Sequence, residues 1–234
     1  MITYKRIEMN KKLFLFVSIP MLVFLSSCLT SLNRLVTYST VRADHRITGS
    51  WQIENLQINI ETLPSSNFYK ELLTSIKTKE EKKSVFDSGE DSILYSNSYV
   101  ANFVKNGYQY FMICSLTKFG NNLFANLEPV DARPVNATDT KMMEDLLGGG
   151  SYLASNTIAR VVFRANEMEF QFIDPGYVRS QLTNGRVAIK YEKDNLFNTD
   201  LITASSHELQ LFLTKYGSDQ RLYNKENTIT LKKI

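Results

Sequence analysis

Residues 167–173 read Glu167-Met168-Glu169-Phe170-Gln171-Phe172-Ile173, and this stretch decides the fold class. Side chains alternate between the two sides of an extended strand, so Met168, Phe170 and Phe172 share one face while Glu167, Glu169 and Gln171 share the other. An apolar face set against a polar one is the habit of an antiparallel sheet with one side on a core and one in water. Thr157–Arg164, joined to it across Ala165-Asn166-Glu167, reads as its hairpin partner.

The same pattern extends in both directions. Upstream, Tyr99–Val104 and Tyr108–Thr117 flank Asn106-Gly107, a pair that accepts positive φ and therefore marks a hairpin. Phe111, Met112, Ile113 and Cys114 are apolar on both faces, so that strand is expected to be covered on both sides, with Cys114 a buried small residue. Gly120-Asn121-Asn122 supplies a turn before a strand over Leu123–Glu128. Gly49-Ser50-Trp51 opens the domain. Trp51 and Ile53 have one parity and Leu56, Ile58 and Ile60 the other, which predicts one long strand bulged near Glu54-Asn55.

Helices punctuate the strands. Pro64-Ser65-Ser66 introduces one that carries Phe68, Tyr69, Leu72, Leu73 and Ile76, and Lys77–Lys83 continues it as a solvated run without an apolar residue. Thr138 or Asp139 caps a second with Met142, Met143, Leu146 and Leu147, stopped by Gly148-Gly149-Gly150, the expected mobile loop. Asp174-Pro175 opens a third, which contains Tyr177, Val178 and Leu182 and ends at Gly185; Val187, Ile189 and Tyr191 then mark a strand. Ser205-Ser206-His207-Glu208 fits a capping box for a last helix, with Leu209, Phe212, Leu213 and Tyr216 toward the core and Gly217 at its end. Ile229 and Leu231 close the chain as a strand. The fold class expected is mainly β (α+β): an antiparallel curved sheet or barrel of about eight strands with three or four short helices.

The N-terminus carries an address. Lys11 and Lys12 precede the mostly apolar run Leu13–Leu25, which Ser26, Ser27 and Cys28 follow. A basic start, a short apolar run and small residues make a secretory signal, and the run falls short of the roughly 20 residues a spanning helix needs. Met9-Asn10-Lys11-Lys12 is itself a conventional opening, so Met1 and Met9 both stand as candidate starts. Leu25-Ser26-Ser27-Cys28 resembles the lipobox of bacterial lipoproteins. That resemblance implies cleavage after residue 27, diacylglycerol on the Cys28 sulfur and, because Leu29 is not acidic, outer-membrane sorting in some bacteria. Each buried methylene contributes about 0.8 kcal/mol, so two or three acyl chains hold permanently where one is marginal. Residues 28–46, rich in Ser, Thr and Asn, read as a lipidated tether in which Leu29, Leu32, Leu35 and Val36 can rest on the lipid, and residues 47–234 as one domain.

Two further resemblances concern the domain. Gly49-Ser50-Trp51 at the first strand of an export-directed β-rich domain resembles the lipocalin and calycin barrels, in which the tryptophan plugs one end. From Thr203 onward, Ala204-Ser205, Glu208-Leu209-Gln210, Phe212-Leu213, Tyr216 and Asp219 are similar to a group of uncharacterised bacterial lipoproteins, which brings no activity with it.

Charge and chemistry narrow the function. Residues 1–27 hold four of the 27 basic residues and one of the 24 acidic ones, which leaves 23 of each in the remaining 207. A neutral chain has no electrostatic argument for nucleic acid. Once Cys28 is lipidated only Cys114 remains, so no intramolecular disulfide forms. His45 and His207 lack partners at metal or triad spacing, so no metal ligand, cofactor or catalytic residue is assigned. Glu167 and Glu169 share a strand face and are compatible with paired-carboxylate hydrolysis, the least favoured reading, since solvated strand faces carry such pairs routinely. Gly148-Gly149-Gly150 follows a helix instead of leading into one, so it is no phosphate cradle. The expectation is a non-enzymatic envelope protein. Its partners are the membrane through Cys28 and either a small apolar ligand or an envelope protein, with the ligand-binding residues unassigned. A closed barrel with an apolar interior over roughly 300 Å³ favours the ligand. A filled interior beneath an exposed apolar patch favours the protein.

Overall fold

The computed structural model describes residues 30–75, 89–135, 155–194 and 199–234. The signal, Cys28, the Lys77–Lys83 run, the helix expected over Met142–Leu147 and Gly148–Gly150 lie outside them.

In chain order the elements are β1 (Thr30–Ser31), β2 (Gly49–Ile53), β3 (Leu56–Thr62), α1 (Asn67–Ser75), α2 (Gly89–Ser96), β4 (Tyr99–Lys105), β5 (Tyr108–Phe119), β6 (Asn122–Pro134), β7 (Asn156–Phe163), β8 (Glu167–Ile173), α3 (Pro175–Thr183), β9 (Tyr191–Asp194), β10 (Thr199–Ile202), α4 (Ser206–Tyr216) and β11 (Tyr223–Lys233). Strands β2 to β8 pair with their sequence neighbours, all antiparallel, and β11 pairs with both β8 and β2. The result is a closed eight-stranded barrel of the lipocalin-like kind. Closure removes every free edge inside the ring.

The alternation at 167–173 is realised as read. Met168, Phe170 and Phe172 point into the barrel and are buried with Trp51, Tyr99 and Leu116. Asn106 and Gly107 both adopt positive φ, at 53° and 79°, and close the β4–β5 hairpin. Strand β5 is covered on both sides: Met112 and Cys114 face the interior, whereas Phe111 and Ile113 face α1, where Phe68 stacks on Phe111 at 4.8 Å. The capping box forms, with Glu208 N–H donating to Ser205 Oγ at 3.3 Å and Ser205 N–H to the Glu208 carboxylate at 2.7 Å. Leu209, Phe212 and Leu213 then seat α4 on Phe124 and Ile158, the outer face of β6 and β7.

Four expectations are corrected. The bulge placed near Glu54-Asn55 is a two-residue turn, with Ile53 opposite Leu56 and Glu54 at φ 49°. A tight hairpin and a bulge both switch parity, so the pattern alone cannot separate them. Residues 28–46 are no free tether from Thr30 onward: β1 pairs with β7 and β10, and Leu35 and Val36 are fully buried under α4. The segment looks linker-like because polar contacts hold much of it. The Arg34 guanidinium donates to both oxygens of Glu128, at 2.9 and 3.0 Å, and to Tyr95 Oη at 2.7 Å. Asn126 Oδ1 accepts the Leu35 N–H at 2.9 Å. Val187 and Ile189 belong to no strand; β9 begins at Tyr191, and Val187 packs on the outer cluster. Strand β6 runs on to Pro134, past the end expected at Glu128, by skipping Val130 in its pairing with β5. Its ladder to β7 ends at Leu127, so Pro129 and Pro134 cost no hydrogen bond there. Helix α2, with Glu90 and Asp91 in its first turn, is an element that apolar periodicity did not reveal.

Candidate functional site: the barrel cavity

One end of the barrel is closed from within. The chain passes beneath it as the short helical turn His45–Ile47, Ile47 is fully buried, and the Trp51 indole N–H donates to the Ile47 carbonyl at 2.8 Å. Tyr99 Oη accepts the Asp44 N–H at 2.7 Å and ties the incoming segment to the same floor. Trp51, Tyr99, Leu116 and Met168 fill this half.

The other half is hollow. A cavity of about 690 Å³ is lined chiefly by Ile53, Ile58, Phe103, Met112, Phe170 and Phe172, and opens between the β2–β3 turn at Glu54-Asn55 and the end of β4 at Val104-Lys105. Part of the space comes from small residues at inward positions, Ala101 and Cys114. Among the described residues, the only charged groups of the lining, Glu54 and Lys105, stand at the mouth. Apolar walls with polar groups confined to the opening describe a site for an apolar molecule or the apolar tail of an amphiphile. Val104 and Ile229, 51% and 39% exposed, add apolar surface to the rim. The Cys114 thiol lies in the wall, where burial pushes it up to about 12, so it holds almost no thiolate at neutral pH and acts as a small apolar side chain.

The candidates read from the sequence fall elsewhere. His45 lies in the turn beneath the floor and His207 in the first turn of α4, and neither lines the cavity. Glu167 and Glu169 face outward. Glu169 is 3.0 Å from Arg164 Nη2 and accepts from Gln171 Nε2 at 3.0 Å, while Glu167 lies 4.0 Å from Lys232. Among the described residues no group of three His, Cys, Asp or Glu side chains gathers to hold a metal ion, and no helix is long and apolar enough to cross a membrane. The lining escaped assignment because alternation tells which residues face inward, not whether they meet; the signal was the small Ala and Cys at those positions. No family model matches the chain, and comparison with curated proteins and with solved structures likewise returns no match.

Proposed function

We propose that this protein is a lipid-anchored envelope protein whose barrel holds a small apolar ligand without transforming it. The cavity carries the reading. At about 690 Å³ it exceeds the roughly 300 Å³ that a small ligand needs, and its charges are kept to the rim. Anchoring follows from the lipobox resemblance at Leu25–Cys28. Thr30 is the first described residue and already pairs in the sheet, and the two-residue spacing from Cys28 to it spans at most about 7 Å. An acylated Cys28 therefore sets the barrel directly against the lipid, where an apolar molecule passes between bilayer and cavity over a short path.

Both halves are open to test. The neutral fluorophore N-phenyl-1-naphthylamine is expected to bind the purified protein saturably. Placing tryptophans in the hollow with Ile58→Trp and Met112→Trp together weakens that binding about tenfold or more, since overfilled space excludes the probe, while the far-ultraviolet circular dichroism is unchanged. Non-saturable binding, or equal binding by the folded double variant, rejects the carrier reading. In cells, labelled palmitate enters the native protein, and Cys28→Ser abolishes both label and membrane partition. A serine variant that still sediments with membranes, beside a native protein that takes up no label, rejects the anchor.

A further inference from the structure

A second recess, of about 470 Å³, lies on the outside of the barrel by the β5–β6 turn, and among the described residues its lining holds two arginines, four amide side chains and no carboxylate. The arginines are Arg46 and Arg160; the amides are Asn121, Asn122, Gln171 and Gln220. We propose that it binds the phosphate group of a small polar phosphomonoester.

Arg160 is the centre of this recess. It projects from the outer face of β7 and is 94% buried, at 6% exposure. Its Nε donates to Gln171 Oε1 at 2.8 Å and its Nη2 to Gln220 Oε1 at 2.9 Å, while its guanidinium stacks over the Tyr223 ring at 4.0 Å. These partners orient the group but bring no negative charge, and Nη1 makes no hydrogen bond to any described residue. A buried guanidinium is usually matched by a carboxylate, because the desolvated charge is otherwise expensive. The neighbouring carboxylates are engaged: Asp44 pairs with Arg46, Glu169 with Arg164 and Gln171, and Asp219 with Arg221 and Tyr177. Two amide carbonyls and a ring thus hold an arginine ready for an anion that the protein does not supply.

The surroundings specify the anion further. The Arg46 guanidinium stands over the Phe163 ring at 4.4 Å and gives Nε and Nη2 to Asp44, and among the described residues its Nη1 has no hydrogen-bond partner at the same recess. Two arginines lining one recess suit a dianionic phosphate better than a monoanionic carboxylate, and each can contribute charge-assisted hydrogen bonds. The volume far exceeds that of one phosphate, and Asn121, Asn122 and Gln220 line the remainder, so the rest of the ligand is hydroxyl-rich. This site stands on the outer wall, shares no lining residue with the barrel cavity, and holds or falls independently of it.

The test is calorimetric titration of the whole protein with glycerol 3-phosphate, against sodium chloride at matched ionic strength. Saturable one-to-one binding is expected, lost in Arg160→Gln. Because that residue is buried, Asn121→Asp is the deciding variant: it places a carboxylate at the recess from an exposed turn position that accepts aspartate, and it weakens binding about tenfold or more by like-charge repulsion with the ligand. Heats no larger than those of the salt control, or equal affinity in Asn121→Asp, overturn the proposal. Competition by phosphatidic acid vesicles, whose headgroup is itself a phosphomonoester, assigns the phosphate to a lipid headgroup, and binding that vesicles leave unchanged assigns it to a soluble ester; both outcomes uphold the site.

Discussion

Replacing Trp51 by alanine lowers the unfolding free energy by about 3–5 kcal/mol, among the largest losses a single truncation in this chain can produce. Three contributions combine at this position. The indole is 3% exposed and lies among the inward side chains of the floor, so its removal forfeits the packing of the largest residue there. Its N–H is the donor to the Ile47 carbonyl at 2.8 Å, and a buried carbonyl left without that partner costs about 1–3 kcal/mol of its own. The ring also underlies Lys233, whose Nζ stands 5.5 Å from its centre at the point where β11 meets β2 and the barrel closes. Trp51→Phe separates the effects, since it keeps a ring and loses only the hydrogen bond and part of the volume, and it is expected to cost less than alanine. Urea unfolding followed by circular dichroism is the measurement, because Trp51 is the single tryptophan and its fluorescence leaves with it. An alanine variant as stable as the parent would mean that the floor is not what closes the barrel.

The second large effect concerns a residue that the sequence places in a linker. Leu35→Ala is expected to cost about 2–5 kcal/mol, the range for emptying a fully buried leucine site. Leu35 has no exposed surface, packs with Val36 against the α4 cluster, and is fixed on both sides of its peptide: Asn126 accepts its N–H, and its carbonyl accepts Gln210 Nε2–H at 3.0 Å. These anchors reach to β6 and to α4, so the segment joins the barrel wall to the helix that covers it. A free tether would tolerate the same change without loss, because exposed flexible residues contribute little to stability. The two accounts therefore differ by the whole effect, and one thermal melt of Leu35→Ala beside the parent distinguishes them.

Local chemistry made much of the fold legible. Alternation at Glu167–Ile173, the Asn106-Gly107 turn and the Ser205/Glu208 capping box each depend on residues within a few positions of one another, and all three stand as read. The failures share a different cause. Glu54-Asn55 read as a bulge because a parity switch has two geometries, and only the pairing of Ile53 with Leu56 chooses between them. Residues 30–46 read as a linker because their partners, Glu128, Asn126, Tyr95 and Gln210, lie far away in sequence. The recess around Arg160 was invisible for the same reason, since Gln171, Gln220 and Arg46 come from three separated stretches.

The chain by itself determined the consecutive strands β4 to β8, the tight turn at Asn106-Gly107 and the last helix with its apolar face, because periodicity and capping act over single turns of backbone. Tertiary structure decided that β11 returns to β2 and shuts the sheet into a ring, that this ring is solid at Trp51 and hollow above Ile53, and that the polar segment from Thr30 belongs to the body. Those outcomes depend on which distant edges pair and on whether facing side chains are long enough to meet, and neither is encoded within any one stretch.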